Sequence, residues 1–525
     1  MLVDFPSSVC VWTALAVLVS AYLFRLTQIT FPTFPIVNQY PGDLFGRRAN
    51  RELRKNARRL ITEGLAKYQG PIAVALPHGQ KKVILPASLA AWVKSNRDLD
   101  HKQLVKDEFF AGIPGFEAQS VLHGSDDLPK RIITTKLGQN ESTMETMNAS
   151  LARGLQILWG DDNEWHTIDW HKDTMGVIAR AASSVFVGPE KADDPEWLDL
   201  VQGYVMSYFT AVNDLHGFPA WSRSTVHWFL PNAIACRKYV ARARVMIKEV
   251  LHNRQEETKS AKLDGRKVPE YNDALAWTMT ASDGNIEPGD LQLSLAMAAL
   301  FTTTEMFRQV LIEVARHPQL IEPLRSELSQ QISAQGISVA AANNMVMMDS
   351  VMKESQRMSA SLVALERVAL RDTVLPDGKV IPRGSQIMVD ATDLWNPVVY
   401  PNPEEFDGYR FLRKREAGDT SSQFVQSGPD FNVFGGGRHI CPGRFFANNE
   451  LKLALAHVLL KYDIRLSKGS DSKPILNGFY SMVNPKVQLE GRSANLHKKG
   501  GLSGMCTREQ GYEGHFSIVA GISYP

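Results

Sequence analysis

Eleven residues near the C-terminal end constrain this chain more than any other stretch: Phe434-Gly435-Gly436-Gly437-Arg438-His439-Ile440-Cys441-Pro442-Gly443-Arg444. They join a glycine-rich loop to a lone cysteine. From Phe445 onward apolar residues recur at helical spacing (Phe446, Leu451, Leu455, Val458, Leu459), which places Cys441 at the start of a helix. There the free backbone N–H groups and the helix dipole favour an anion, an arrangement expected to lower a thiol's pKa toward thiolate. Three consecutive glycines let the backbone pass close under a flat ligand and turn its amides toward the sulfur. A thiolate held this way suits axial ligation of a haem iron, where electron donation from sulfur favours O–O cleavage. A buried structural cysteine beside a flexible loop satisfies the same residues.

At 525 residues the chain has room for several ordinary domains, or for one large one with extensions. Hydrophobic content of 44% with 22% charge is ordinary for a globular protein and allows a sizeable core. A net charge of +2, with no basic run interleaved with aromatics, argues against nucleic-acid binding. The four cysteines, Cys10, Cys236, Cys441 and Cys506, are too scattered for a disulfide framework and suit a reducing compartment.

Val9 to Phe24 is an uncharged apolar run of 16 residues, a little short of the roughly 17–25 of a full membrane span. Asp4 precedes it and no small-residue cleavage site follows, which disfavours a signal peptide. Arg25, Arg47, Arg48, Arg51 and Arg54 all follow the run, so residues 9–24 are expected to anchor the chain with residues 1–8 lumenal and the bulk cytosolic. Residues 25–42, with Phe31-Pro32-Thr33-Phe34-Pro35, read as a stiff hinge. Ile72–Leu76 and Lys81–Leu85 flank a hairpin signal, and Pro86 opens a helix. Residues 98–129 are poor in periodicity. The sequons at Asn140 and Asn148 are chance matches if the domain faces the cytosol. Trp159, Trp165, Trp170, Trp197, Trp221 and Trp228 are expected in the core or in the roof of a binding site.

A long helix is predicted from Leu291 to about Arg316, apolar on most sides and ended by His317-Pro318. Inside it stand Thr302, Thr303 and Thr304, poor helix formers whose hydroxyls can bond back to a carbonyl one turn earlier. Glu354 and Arg357 share a helix face and can pair. Leu375–Gly384 reads as strand, turn, strand around Asp377-Gly378. Residues 491–525 are rich in glycine, low in periodicity and expected to be a disordered tail.

Phe434, Gly437, Cys441 and Gly443 match the phenylalanine, glycine, cysteine and glycine of the haem-binding loop of the cytochrome P450 family, and the string resembles fungal members most. His439 stands where an arginine is usual, so His439, Arg438 or both would pair with a haem propionate. Thr302 aligns with the family's distal threonine, which helps deliver protons to dioxygen. Phe301 replaces the acid often found before it, leaving ordered water or Glu305 to supply them. Glu354 and Arg357 match the family's Glu-x-x-Arg motif, completed by Arg410 in a structural role, and Arg367 matches a residue that often binds a propionate. Residues 98–129 would be a variable loop over the substrate. Residues from Tyr462 to about Leu489 would form a C-terminal hairpin that brings Phe479 and Tyr480 near it.

The resemblance covers roughly residues 40–490 and implies a mostly α fold, a triangular helical prism with a small β-rich lobe, with residues 43–490 as the catalytic domain and a transmembrane helix ahead of it. It implies haem b ligated by Cys441, dioxygen as cosubstrate, and electrons from NADPH through a reductase that docks near Arg438, Arg444, Arg413, Lys414 and Arg415. The expected product is a monooxygenated hydrophobic secondary metabolite, a terpenoid, polyketide or alkaloid, made at the endoplasmic-reticulum membrane with the catalytic domain facing the cytosol. Two other readings fit the same motifs: a haem-thiolate isomerase or dehydratase acting without a reductase, and a non-catalytic membrane haem protein.

Overall fold

The computed structural model describes residue 12 and residues 34–494, apart from 44–45, 78–79, 125–126, 139 and 283–285. The expected anchor (Trp12 aside), the first part of the hinge and the tail from residue 495 lie outside the described residues. Among those described, no helix is long and apolar enough to cross a membrane.

Nine helices carry the description: α1 (Arg47–Tyr68), α2 (His101–Glu108), α3 (Glu141–Trp159), α4 (Trp170–Phe186), α5 (Pro195–His216), α6 (Pro231–Leu263), α7 (Pro288–Arg316), α8 (Val346–Met358) and α9 (Arg444–Lys461). Local chemistry sets their ends. Asp194 caps α5 by accepting from the N–H groups of Glu196 and Trp197, with Pro195 at the first helical position. Pro288 opens α7, Asp290 sits in its first turn, and the helix stops at His317 ahead of Pro318. Helices α3 to α9 enclose one large apolar core. At the crossing of α6 and α7 a Cβ on Gly289 would come within 2.7 Å of the Arg244 backbone, so only glycine fits.

The β-rich lobe is a five-stranded sheet in the order β1-β2-β8-β5-β3. Its strands are β1 (Ile72–Ala75), β2 (Lys81–Leu85), β3 (Leu99–Asp100), β5 (Val363–Ala369) and β8 (Gln386–Asp390). A short strand β4 (His166–Ile168) pairs with β12 (Leu489–Ser493), which also pairs with β9 (Tyr462–Leu466). The hairpin β6–β7 (Thr373–Val374, Val380–Ile381) turns at Gly378, and β10–β11 (Ile475–Asn477, Tyr480–Met482) turns at Gly478. Alternate residues of β1, β2 and β8 feed opposite faces: Ala73, Val83, Ile387 and Val389 on one, Ile72, Val74, Ile84 and Met388 on the other. The second face is covered by Leu53, Ala57, Leu60 and Ile61 of α1. In β5 the pairing with β8 slips between Ala364 and Arg367, and Leu365 takes a left-handed φ of 52°. This bulge resets the alternation just before Arg367.

Several expectations change. Residues 98–129 hold α2 and the short helices Glu117–Leu122 and Leu128–Ile132, too brief to register as periodicity. Trp159, Trp170 and Trp197 are buried, but Trp221 and Trp228 are about half exposed on the surface. Phe479 is packed in the core between α1 and the sheet rather than over a substrate. The hinge ends early: Phe34 is buried, and the N–H of Ala73 donates to the Pro35 carbonyl at 2.8 Å. β12 carries ordered chain past residue 490. Asn140 caps α3, and Asn148 bonds His457 at 2.7 Å, so both sequons serve the fold.

Candidate active site

The Cys441 loop is closed by its own backbone. The N–H of Cys441 donates to the Phe434 carbonyl at 2.8 Å, and Arg444 at the head of α9 reaches back to the Cys441 carbonyl at 2.8 Å. The expected lowering of the thiol pKa is not what results. Burial pushes the Cys441 thiol up, and the opposing pull of the Gly443 and Arg444 N–H groups and the Arg444 charge is the smaller effect. The thiolate is therefore left to coordination, since a metal ion deprotonates a bound thiol outright. Of the three glycines, Gly435 lines the second of the cavities described below, and Gly437 serves packing. Gly437 has φ 62°, and a Cβ there would lie 2.4 Å from the Lys94 carbonyl, so the close approach is to the helix Ala90–Ser95. Gly437 does not line the cavity.

Two cavities, of about 210 and 430 Å³, meet at Cys441. The first lies between the loop and α7, walled by Leu295, Ala298, Ala299 and Thr302 opposite Phe434, Arg438, His439, Cys441, Gly443 and Phe446. The second runs under β5 from Ser361 to Arg367. Most of α7 is buried, but Ala298 and Thr302, one turn apart, are open to this space. The Thr302 hydroxyl donates to the Ala298 carbonyl at 3.0 Å. Phe301 packs on Phe209 of α5 with ring centroids 5.1 Å apart. Glu305 is held away from the cavity: its carboxylate accepts from Arg308 at 2.6 Å and from the Val483 N–H at 3.3 Å. Arg308 in turn bonds Thr174 and the His171 carbonyl.

At the rim, Arg367 is buried; it donates to the carbonyls of Glu366 and Gly436, while its Nε has no partner. Burial lowers its pKa to about 10. His439 accepts from Arg438 Nε at 2.8 Å and lies 3.5 Å from Asp100. Burial, then the Arg367 charge, pushes it down to about 3, so its imidazole is neutral. Arg438 is largely engaged by the carbonyls of Arg97 and Leu99. His101 and His123 complete the rim, and sequence reading missed both. His101 bonds the Glu366 carbonyl at 3.0 Å and meets His439 edge-on, and burial pushes His123 down to about 4. Their only sequence signal is two histidines 22 residues apart in a stretch without a pattern.

Behind the loop, Glu354 and Arg357 are fully buried and paired at 2.8 Å; Arg410 bonds the same carboxylate at 3.0 Å and the Pro401 carbonyl at 2.7 Å. Arg357 also holds the Leu394 carbonyl at 2.7 Å. Lys353, unmarked in sequence reading, donates to the carbonyls of Ser421, Gln423 and Gln426 at 2.7–2.9 Å. These bonds fix residues 394–426 ahead of the cysteine loop. Of the five expected reductase contacts, Arg413 and Arg438 are exposed; Arg413 pairs with Asp407, Arg415 lies 3.8 Å from Asp349, and Lys414 sits over the Tyr400 ring.

The cytochrome P450 family model matches residues 130–490. The chain belongs to the cytochrome P450 family. It is 33% identical to the cytochrome P450 monooxygenase hepE of Aspergillus oryzae, over 90% of this chain and 88% of that one. It is 37% identical to a cytochrome P450 monooxygenase of Gibberella fujikuroi, over 78% of this chain and 94% of that one. The retinoic acid-bound cyanobacterial CYP120A1 superposes with a TM-score of 0.61 at 16% identity, covering 89% of this P450 and all of that one, and shares its fold. The family implies haem, and this site fits it: one cysteine between two cavities, apolar walls, and a buried guanidinium with an unpartnered N–H that would suit a propionate. The family also makes the protein an oxidoreductase of the monooxygenase type.

Proposed function

We propose that this P450 inserts one oxygen atom from dioxygen into a C–H or C=C bond of a hydrophobic secondary metabolite, with electrons from NADPH delivered by a flavoprotein reductase. It works at the endoplasmic-reticulum membrane, anchored by residues 9–24 and facing the cytosol. The carrying observation is Cys441 facing Thr302 across an apolar cavity. Relatives named as fungal monooxygenases support the reaction class.

Bound haem supplies reductive activation of dioxygen and transfer of one of its atoms. Cys441 would hold the iron, and Arg367 with His439 would hold the propionates. Leu295, Ala298, Ala299 and Phe446 keep the space dry and admit an apolar substrate. Because the Thr302 hydrogen is committed to Ala298, its lone pairs are what face the cavity; Thr302 would accept from and orient a water there, which carries the proton. Phe301 can relay nothing and Glu305 is engaged elsewhere, so this water is the remaining route.

The test grows the producing host under labelled dioxygen and compares its metabolites with those of a Cys441→Ala strain. A vanished labelled product, with a precursor lacking one oxygen accumulating, is the expected result. An accumulating compound of the same mass as the lost product, or differing by water, would show the isomerase or dehydratase chemistry that Phe301 hints at.

A further inference from the structure

Phe445, Asn448, Asn449 and Lys452 recur at i, i+3, i+4 and i+7 and share one face of α9. Gly443, Phe446 and Ala447, which line the cavity facing Thr302, belong to a different face. The first face walls a third cavity, of about 330 Å³, completed by Asp349 of α8, Arg415 of the helix Arg410–Glu416, and Gln423 and Val425. Asp349, Asn448, Asn449 and Lys452 are 2–6% exposed and make its buried part, while Asn343 and Asn344 are exposed. The walls are held in advance: Arg410 bonds Glu354, and Lys353 holds the carbonyls of Ser421, Gln423 and Gln426.

The charges in this cavity do not balance. Lys452 pairs with Asp349 at 2.6 Å and donates to the Ala342 carbonyl at 2.6 Å, so its charge is matched. Arg415 Nη1 is 3.8 Å from the other Asp349 oxygen, outside hydrogen-bond reach; it is buried and has no partner. Two cations thus share one carboxylate, and the surplus charge rests on Arg415. A buried guanidinium N–H normally finds an acceptor, and a carboxylate or phosphate oxygen makes the strongest bond to it. Carboxamides add donors. Asn448 donates to Asn449 Oδ1 at 3.3 Å and Asn449 to the Gly138 carbonyl at 3.1 Å, bonds that use one of the two N–H groups on each. The volume exceeds the 210 Å³ of the cavity facing Thr302, so it admits a small organic molecule as well as a bare ion. A flat protein surface would meet the exposed Asn343 and Asn344 but not the buried N–H.

We propose that this cavity is a second ligand site, which binds a small polar metabolite through a carboxylate or phosphate group held by Arg415 and the Asn448 and Asn449 carboxamides. It stands or falls apart from the monooxygenation proposed above. An occupant joins α8, α9 and the helix Arg410–Glu416, and so stabilises the fold. The test titrates succinate or inorganic phosphate into the full, haem-loaded chain by calorimetry, with chloride at matched ionic strength as the reference. Saturable one-to-one binding of at least one probe is expected, with a Tm that rises with its concentration. Arg415→Gln should weaken that binding about tenfold or more and abolish the rise in Tm while keeping the haem spectrum. Arg413→Gln, at an exposed arginine of the same helix, should change neither. Binding of succinate and not phosphate assigns the site to an organic acid, and the reverse to a phosphate ester; either supports the proposal. Binding that survives Arg415→Gln, or no saturable binding of either probe, overturns it. So does a fall in reductase affinity in Arg415→Gln when no probe binds, which would give the arginine to an acidic protein.

Discussion

Single residues divide here between those that touch the reaction space and those that hold its walls. Thr302 is of the first kind. On the function proposed above, Thr302→Ala removes the hydroxyl that would orient the water, and product per NADPH consumed should fall about 10²-fold, at the lower end of proton-transfer effects. Measured dioxygen uptake should fall much less, because electrons then leave as reduced oxygen. Arg357 is of the second kind. Arg357→Ala leaves Glu354 charged in a fully buried site beside Arg410 alone, and a broken buried pair costs about 3–5 kcal/mol. The variant should purify without haem and with a lowered Tm, and Arg357→Lys should not rescue it, since a lysine cannot span Glu354 and the Leu394 carbonyl together.

Helices α4 and α7 give the next scale. Glu305 ties α7 to the strand region at Val483 and, through Arg308, to α4. Glu305→Ala should therefore lower Tm, by about 1–3 kcal/mol of stability, and leave the ratio of product to NADPH unchanged. A changed ratio would return Glu305 to proton delivery. Asp173 in α4 is buried, and burial with the nearby Asp169 raises its carboxyl to about 6. Below about pH 4 it is protonated folded or unfolded, and its contribution is fully retained. Between there and pH 6 the unfolded chain ionises first, so stability falls as pH rises, by about 2–3 kcal/mol at pH 7. Asp173→Asn should gain that stability at pH 7.5 and none at pH 4, in thermal melts at the two values. Neither role shows in the sequence. Glu354 and Arg357 were legible because their partners lie three residues apart; Glu305 finds Val483 178 residues away. The Cys441 loop and the long α7 were legible because both are continuous in the chain. The thiol's raised pKa was not, because burial by distant residues outweighs a local dipole. His101 and His123 escaped for the same reason: only the fold brings them to the rim.

At the scale of the molecule, the helical core and the β-rich lobe hold separate apolar cores, and the two cavities that meet at Cys441 draw their walls one from each. Leu295 and Phe446 belong to the first, Val363 and Leu365 to the second. A ligand that touches both should couple them. Calorimetry of the haem-free chain should show two transitions, and haem loading should raise the lower one until they merge; a single transition without haem would mean the lobes are already coupled by protein contacts alone.

The bulge in β5 has a consequence for how this chain can vary through descent. A strand alternates its side chains between two sides, and the slip between Ala364 and Arg367 shifts that parity by one place. Exchanging one side chain for another there leaves the parity intact. Losing or gaining a single codon would turn Arg367 to the opposite side and carry its guanidinium out of the haem pocket. Lineages of this enzyme should therefore differ in letters across residues 363–367 and agree in length.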